Sequence, residues 1–197
     1  TITAGAREAQ NMLVTASWAV PTFDAADSRK HALPPLQRAT GPADRPVLVF
    51  FTGQHPPFAA PGGEFARFHG CLQAELDVLE LPHPGVGAGG AVPADRETLA
   101  HTHAQTVLRH IGDRPFVVAG VSTGGAIAHA VTRHLESLGR APLGQVLLDT
   151  YLINDGNSDK EWLLSLPASV APRLGGHEFS GDEDAGVAAM GAYTRMF

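Results

Sequence analysis

Residues 115–124 read Pro115-Phe116-Val117-Val118-Ala119-Gly120-Val121-Ser122-Thr123-Gly124, and the fold turns on them. Phe116 to Ala119 is an unbroken apolar run, too short for a buried helix and rich in strand-favouring residues, so it reads as a strand covered on both faces. Small residues follow. A helical stretch then runs from Thr123 to Leu138 and stops at Gly139, the residue type that best ends a helix. A buried strand feeding a helix through so tight a turn is one unit of a parallel sheet.

Working outward, the same pattern recurs. Val47-Leu48-Val49-Phe50-Phe51 is a second buried run, ending in Thr52-Gly53; Leu76 to Leu81 and Gln145 to Asp149 read as further strands. Helical spacing of Phe65, Phe68 and Leu72 predicts a helix over 63–73, and another is predicted over about 94–111. Strands alternating with helices make the class α/β, a mostly parallel sheet with helices on both faces. Outside this core, Ala6, Ala9, Leu13 and Ala16 predict an N-terminal amphipathic helix closed by Pro21. Five prolines between Pro21 and Pro46 mark an extended lead-in, and beyond Tyr151 only 159–166 and 184–197 look helical. The expected organisation is an N-terminal helix and lead-in over 1–45, the core over 46–153, and a further region over 154–197.

The chain has 197 residues, 44% of them hydrophobic, enough for one core of ordinary size. Charged residues make up 17% and the net charge is −6, which argues against a disordered polyelectrolyte and against a partner bound through its phosphate backbone. Cys71 is the single cysteine, so no internal disulfide or cysteine-based zinc site is expected. No signal-like leader or membrane-length apolar run is legible, and a soluble, cytoplasmic protein is the expectation.

Gly120-Val121-Ser122-Thr123-Gly124 is a GxSxG pentapeptide between a predicted strand and a predicted helix. A serine there stands on a sharp turn above the sheet, with glycines leaving room for the bent backbone, and the helix N-terminus supplies amide donors for a developing oxyanion. The bland alternative is a Gly/Ser turn that caps a helix. A nucleophilic serine needs a base and an acid, and on this type of turn the acid and then the histidine follow it in the chain. Asp149, 27 residues beyond Ser122, ends the next strand, at the sheet edge where α/β active sites lie. Its alternative use is to open the following loop. Nine histidines precede Asp149 and only His177 follows, in a polar loop that reads as solvated surface. His110, His129 and His134 read as solvent-facing, and His101 and His103, two apart, point to different sides of their helix. Oxyanion donors would be the amides of Thr123, after the serine, and of Gln54, after an early strand. Gly85-Val86-Gly87-Ala88-Gly89-Gly90 matches GxGxxG, but Pro82, Pro84 and Pro93 separate it from strand and helix, and no acid lies about 20 residues on.

With these residues in place the chain resembles the terminal thioesterase domains of modular type I polyketide synthases, over nearly its whole length. The likeness is carried by Val20-Pro21-Thr22-Phe23, Leu48 to Gly53, Leu81-Pro82-His83-Pro84-Gly85, Asp113 to Gly120, Val146 to Tyr151 and Gly191-Ala192-Tyr193. It implies an α/β-hydrolase fold, Ser122 as acyl-accepting nucleophile, Asp149 as triad acid, and Thr123 with Gln54 as the oxyanion hole. It further implies a lid over 154–197, a homodimer through the N-terminal helices, and an upstream acyl carrier protein whose phosphopantetheine holds the substrate. No metal or organic cofactor is implied. Val121 stands where the family usually has a histidine or an aromatic residue. The family's histidine and last strands fall beyond Phe197, so the expectation is that the natural domain continues. A free-standing esterase or lipase of the same fold, and a non-catalytic acyl- or nucleotide-binding module, are the competing readings.

Overall fold

The computed structural model describes residues 17–39, 45–53, 70–72, 75–86, 90–150, 188–189, 191–193 and 195–196. The chain divides into two compact units: Thr22–Pro84 with Pro93–Tyr151, and Thr1–Pro21 with Gly85–Val92 and Leu152–Phe197. Among the described residues the larger unit holds a five-stranded sheet. Its strands are β1 (Leu36–Ala39), β2 (Val47–Phe51), β3 (Asp77–Glu80), β4 (Phe116–Val121) and β5 (Gln145–Leu148), and its long helices are α1 (Arg96–Ile111) and α2 (Thr123–Ser137). The spatial order is β1-β3-β2-β4-β5, parallel throughout except that β1 pairs antiparallel with β3. The four strands and two long helices expected in the core are therefore present, each within about two residues of its expected ends.

All five residues of β2 are buried, as a central strand covered on both sides requires. Alternate side chains serve the two faces. Leu48 and Phe50 cluster with Val78 and Ala119, and Val117 and Val121 pack against them; Phe51 faces the other way, toward His103 of α1. Val121 is thus a partly buried member of the core. Helix α1 starts where the Asp95 carboxylate accepts from the Thr98 N–H at 2.7 Å and ends at Gly112, whose φ is +59°. At the N-terminal ends of the strands, Arg114 reaches the mostly buried Asp77 at 2.5 Å.

The segment read as a proline-rich lead-in contributes more than extended chain. Ser28–His31 forms a helical turn whose buried Ser28 hydroxyl is hydrogen-bonded to the Thr102 hydroxyl of α1 at 2.9 Å, and Leu36–Ala39 is the antiparallel end strand, with a shift of register between Gln37 and Ala39. In the smaller unit, Ser17 and the described residues from 188 to 196 are helical. The Arg195 guanidinium lies 3.8 Å above the Trp18 ring and donates to the Ser17 carbonyl. Residues 1–16, most of 63–73 and 151–187 lie outside the described part, with the helices expected there.

Registers bring the strand ends to one level: Phe51 sits opposite Gly120, and Val121 opposite Leu148. A Cβ at Gly120 would collide with the Gly124 carbonyl, and one at Gly124 with the carbonyls of Phe51 and Thr52. At Gly125 a Cβ would collide with the Thr150 side chain, including its Cβ, which rotation about χ1 does not move. Gly124→Ala should therefore lower stability by about 3 kcal/mol despite the better helix propensity of alanine, measured as the urea unfolding midpoint.

Candidate active site

Ser122 is the residue between β4 and α2, and its backbone has φ +53° and ψ −124°, a conformation that side-chain-bearing residues rarely adopt. Strain of this kind costs of order 1–3 kcal/mol and persists only where the surroundings enforce it. Here the Ser122 N–H donates to the Leu148 carbonyl at 2.9 Å, and the Ser122 carbonyl accepts from the Gly125 N–H at 3.0 Å. The turn is held on one side by the neighbouring strand and on the other by the first turn of α2. Thr123, the first residue of that helix, stands where its orphan amides gather.

Asp149 follows β5 directly, one step beyond the Val121–Leu148 pair, and so leaves the same edge of the sheet as Ser122 on the adjacent strand. It too has a positive φ, +46°, and is exposed. Among the described residues no histidine hydrogen-bonds Ser122 or Asp149. Gln54 and His177 lie outside the described residues. The chain before Gln54 is described: a Cβ added at Gly53 would stand 4.0 Å from the Ser122 Cβ and 3.9 Å from the Thr123 Oγ1, so the loop after β2 passes beside the serine.

The histidines divide in a way their spacing only half announced. His101 and His103 do face different ways: His101 meets His134 of α2 edge-on at 5.4 Å, while His103 is buried. His110 is exposed and bonded to the Thr106 carbonyl, whereas His129 and His134 are half-buried, His129 against the Gln145 amide oxygen. Not anticipated was a second buried ring. His83, beyond the end of β3, places Nε2 3.0 Å from the Thr52 carbonyl and Nδ1 3.3 Å from Nε2 of His103. A signal for His103 was available, since Leu99, His103, Val107 and Ile111 form one i, i+4 row. The described part of the GxGxxG stretch, Gly85, Val86 and Gly90, is turn and coil, and α1 opens only at Arg96.

Strand order, the strained serine between strand and helix, and an acid on the next strand together describe the α/β-hydrolase fold. The NocB thioesterase domain, solved as a covalent complex with a fluorophosphonate nocardicin G analog, superposes with a TM-score of 0.57 at 18% identity, over 80% of this chain and 66% of that one. The thioesterase domain family matches residues 54–169, and the chain belongs to it. Naringenin synthase of Pestalotiopsis fici is 38% identical over 208 residues, covering 95% of this chain and 8% of that protein. Polyketide synthase GfsE of Streptomyces halstedii is 38% identical over 184 residues, covering 90% and 5%. The chain thus spans less than a tenth of these curated relatives and is related to the thioesterase domains of polyketide synthases.

Burial holds the His83 ring below the ordinary imidazole value of 6.5, partly offset by the Thr52 carbonyl and by Glu80. His103 is held well below it, by burial and then by its neighbour His83. Above pH 6.5 both rings are neutral folded or unfolded. As the pH falls below 6.5 the unfolded chain takes up protons that the folded chain resists, so stability declines, by at most about 1.4 kcal/mol per pH unit for each ring. Urea midpoints between pH 7.5 and 5 should show this decline in the parent chain and a shallower one in His103→Gln.

Proposed function

We propose that this domain releases an acyl chain from the phosphopantetheine thioester of a carrier protein through a serine acyl-enzyme. The observation that carries the reading is Ser122 at its strained backbone between β4 and α2, in a chain of the thioesterase family. The Ser122 Oγ attacks the thioester carbonyl, and its proton passes to a histidine that Asp149 orients. The N–H groups of Thr123 and Gln54 receive the oxyanion, worth ~10² to 10³ in rate apiece. As the tetrahedral adduct collapses the C–S bond breaks, and the imidazole hands its proton to the departing thiol. Water then attacks the ester to give a linear acid, or a hydroxyl of the chain itself attacks to give a macrolactone. Backbone amides supply the polarisation, so the reaction needs no metal or organic cofactor.

Relatives that are far longer multidomain proteins support a carrier protein upstream in the same polypeptide as the donor. A homodimer built through the N-terminal helices, a lid formed by 154–197 and a cytoplasmic location complete the proposal. Among the described residues no helix is long and apolar enough to cross a membrane.

The full-length protein should be labelled at Ser122 by a fluorophosphonate, and Ser122→Ala should abolish the labelling; labelling that survives removes Ser122 from the mechanism. Asp149→Asn should leave the fold intact and lower acyl-thioester turnover by about 10³-fold or more, read as kcat at saturating substrate.

A further inference from the structure

We propose that His83 is a positioning residue that clamps the Thr52–Gly53 peptide against the nucleophile turn, a role that deepens the serine reading above and rests on it. The loop after β2 comes to Ser122 from another strand, and Gly53 passes beside both the Ser122 Cβ and the Thr123 hydroxyl. Its orientation follows from the peptide before it. The Thr52 carbonyl is met on one side by Nε2 of His83 at 3.0 Å and on the other by the backbone of Gly124, at the start of α2, where even a methyl group would not fit.

The protons on the two buried rings follow from elementary chemistry. A carbonyl oxygen only accepts, so Nε2 of His83 carries the hydrogen. A neutral ring then has its lone pair on Nδ1, and the His103 Nε2–H, 3.3 Å away, is the donor to it. Phe51 completes the packing, nearly parallel to His83 and edge-on to His103, with ring centroids 6.3 and 5.1 Å away. The result is a relay of two hydrogen bonds running from α1 through His83 to Thr52. Both rings are almost wholly buried, so water is a poor substitute for the donor. Since the peptide is trans, holding its oxygen also fixes the direction of the Gly53 N–H.

The test compares His83→Leu, which fills the space without a donor, with His83→Gln, whose amide N–H can reach the carbonyl, both in the full-length protein. His83→Leu should lower the second-order rate of fluorophosphonate labelling at Ser122, and kcat for an acyl thioester, by 10- to 100-fold with a much smaller change in KM, and His83→Gln should recover to within about threefold of the parent. Hydrogen exchange read by mass spectrometry in the peptide spanning Phe51 to Gly53 should accelerate in His83→Leu and stay near the parent rate in His83→Gln. Parent-like labelling in a folded His83→Leu protein, or equal losses in both variants, would overturn the clamp. If the parent protein itself resists labelling at Ser122, the serine reading fails. Hydrogen exchange then judges the clamp alone, protection kept only in His83→Gln supporting it and equal protection in both variants refuting it.

Discussion

Everything at the C-terminal edge of the sheet depends on how closely two pieces of backbone approach. The start of α2 lies against the end of β2 with no space for a side chain at Gly124, and Gly120 is packed as tightly against α2 from below. Two consequences follow from this contact. The helix must leave β4 at once, which forces the residue between them into a conformation that L residues avoid, and the loop after β2 must run beside that residue. Repulsion between filled shells rises so steeply that a single methyl group would separate the three elements. The glycines are therefore what places Ser122 and Gly53 side by side.

The two ends of the sheet are built on different principles. At the N-terminal ends Arg114 and Asp77 join the segments that enter β4 and β3, on either side of β2, by a charged pair in which the carboxylate is mostly buried, an arrangement that offers nothing strained or open. At the C-terminal ends the connections are strained, partly exposed and rich in groups that can react. Hydrogen bonds from Ser122 to Leu148 and from Leu81 to Phe50 continue the ladder past the strand ends, so the turns rest on sheet-like backbone. Rigidity is what a nucleophile needs, since the attacking oxygen must be placed to within a fraction of an ångström.

Much of this was legible in the sequence, for physical reasons that also set the limits. Val47–Phe51 and Phe116–Val121 announce themselves because a strand buried on both faces must be apolar at every position. Ser122 and Asp149 were legible because the turn needs small neighbours and the acid ends a run. Leu36–Ala39 was not: Leu36-Gln37-Arg38-Ala39 lacks an apolar run, and its strand character comes from pairing with β3, a long-range interaction that local spacing does not encode. His83 and His103 stayed hidden because a buried histidine is recognised by its partners. His103 sits on an apolar row that could have marked it, but nothing in Leu81-Pro82-His83 foretells that the ring turns inward to a carbonyl of the loop after β2.

Backbone geometry adds an argument that residue identity alone does not. Glycine would occupy positions 122 and 149 at lower conformational cost, since both carry a positive φ. Aspartate tolerates that region better than most residues, so its presence at 149 is weakly diagnostic. Serine at φ +53° and ψ −124° has no such excuse. A chain with 22 glycines, three of them within the six positions 120–125, nevertheless keeps a hydroxyl at the single most strained point between them. The conformational cost that serine carries there is the physical support for a chemical role at Ser122.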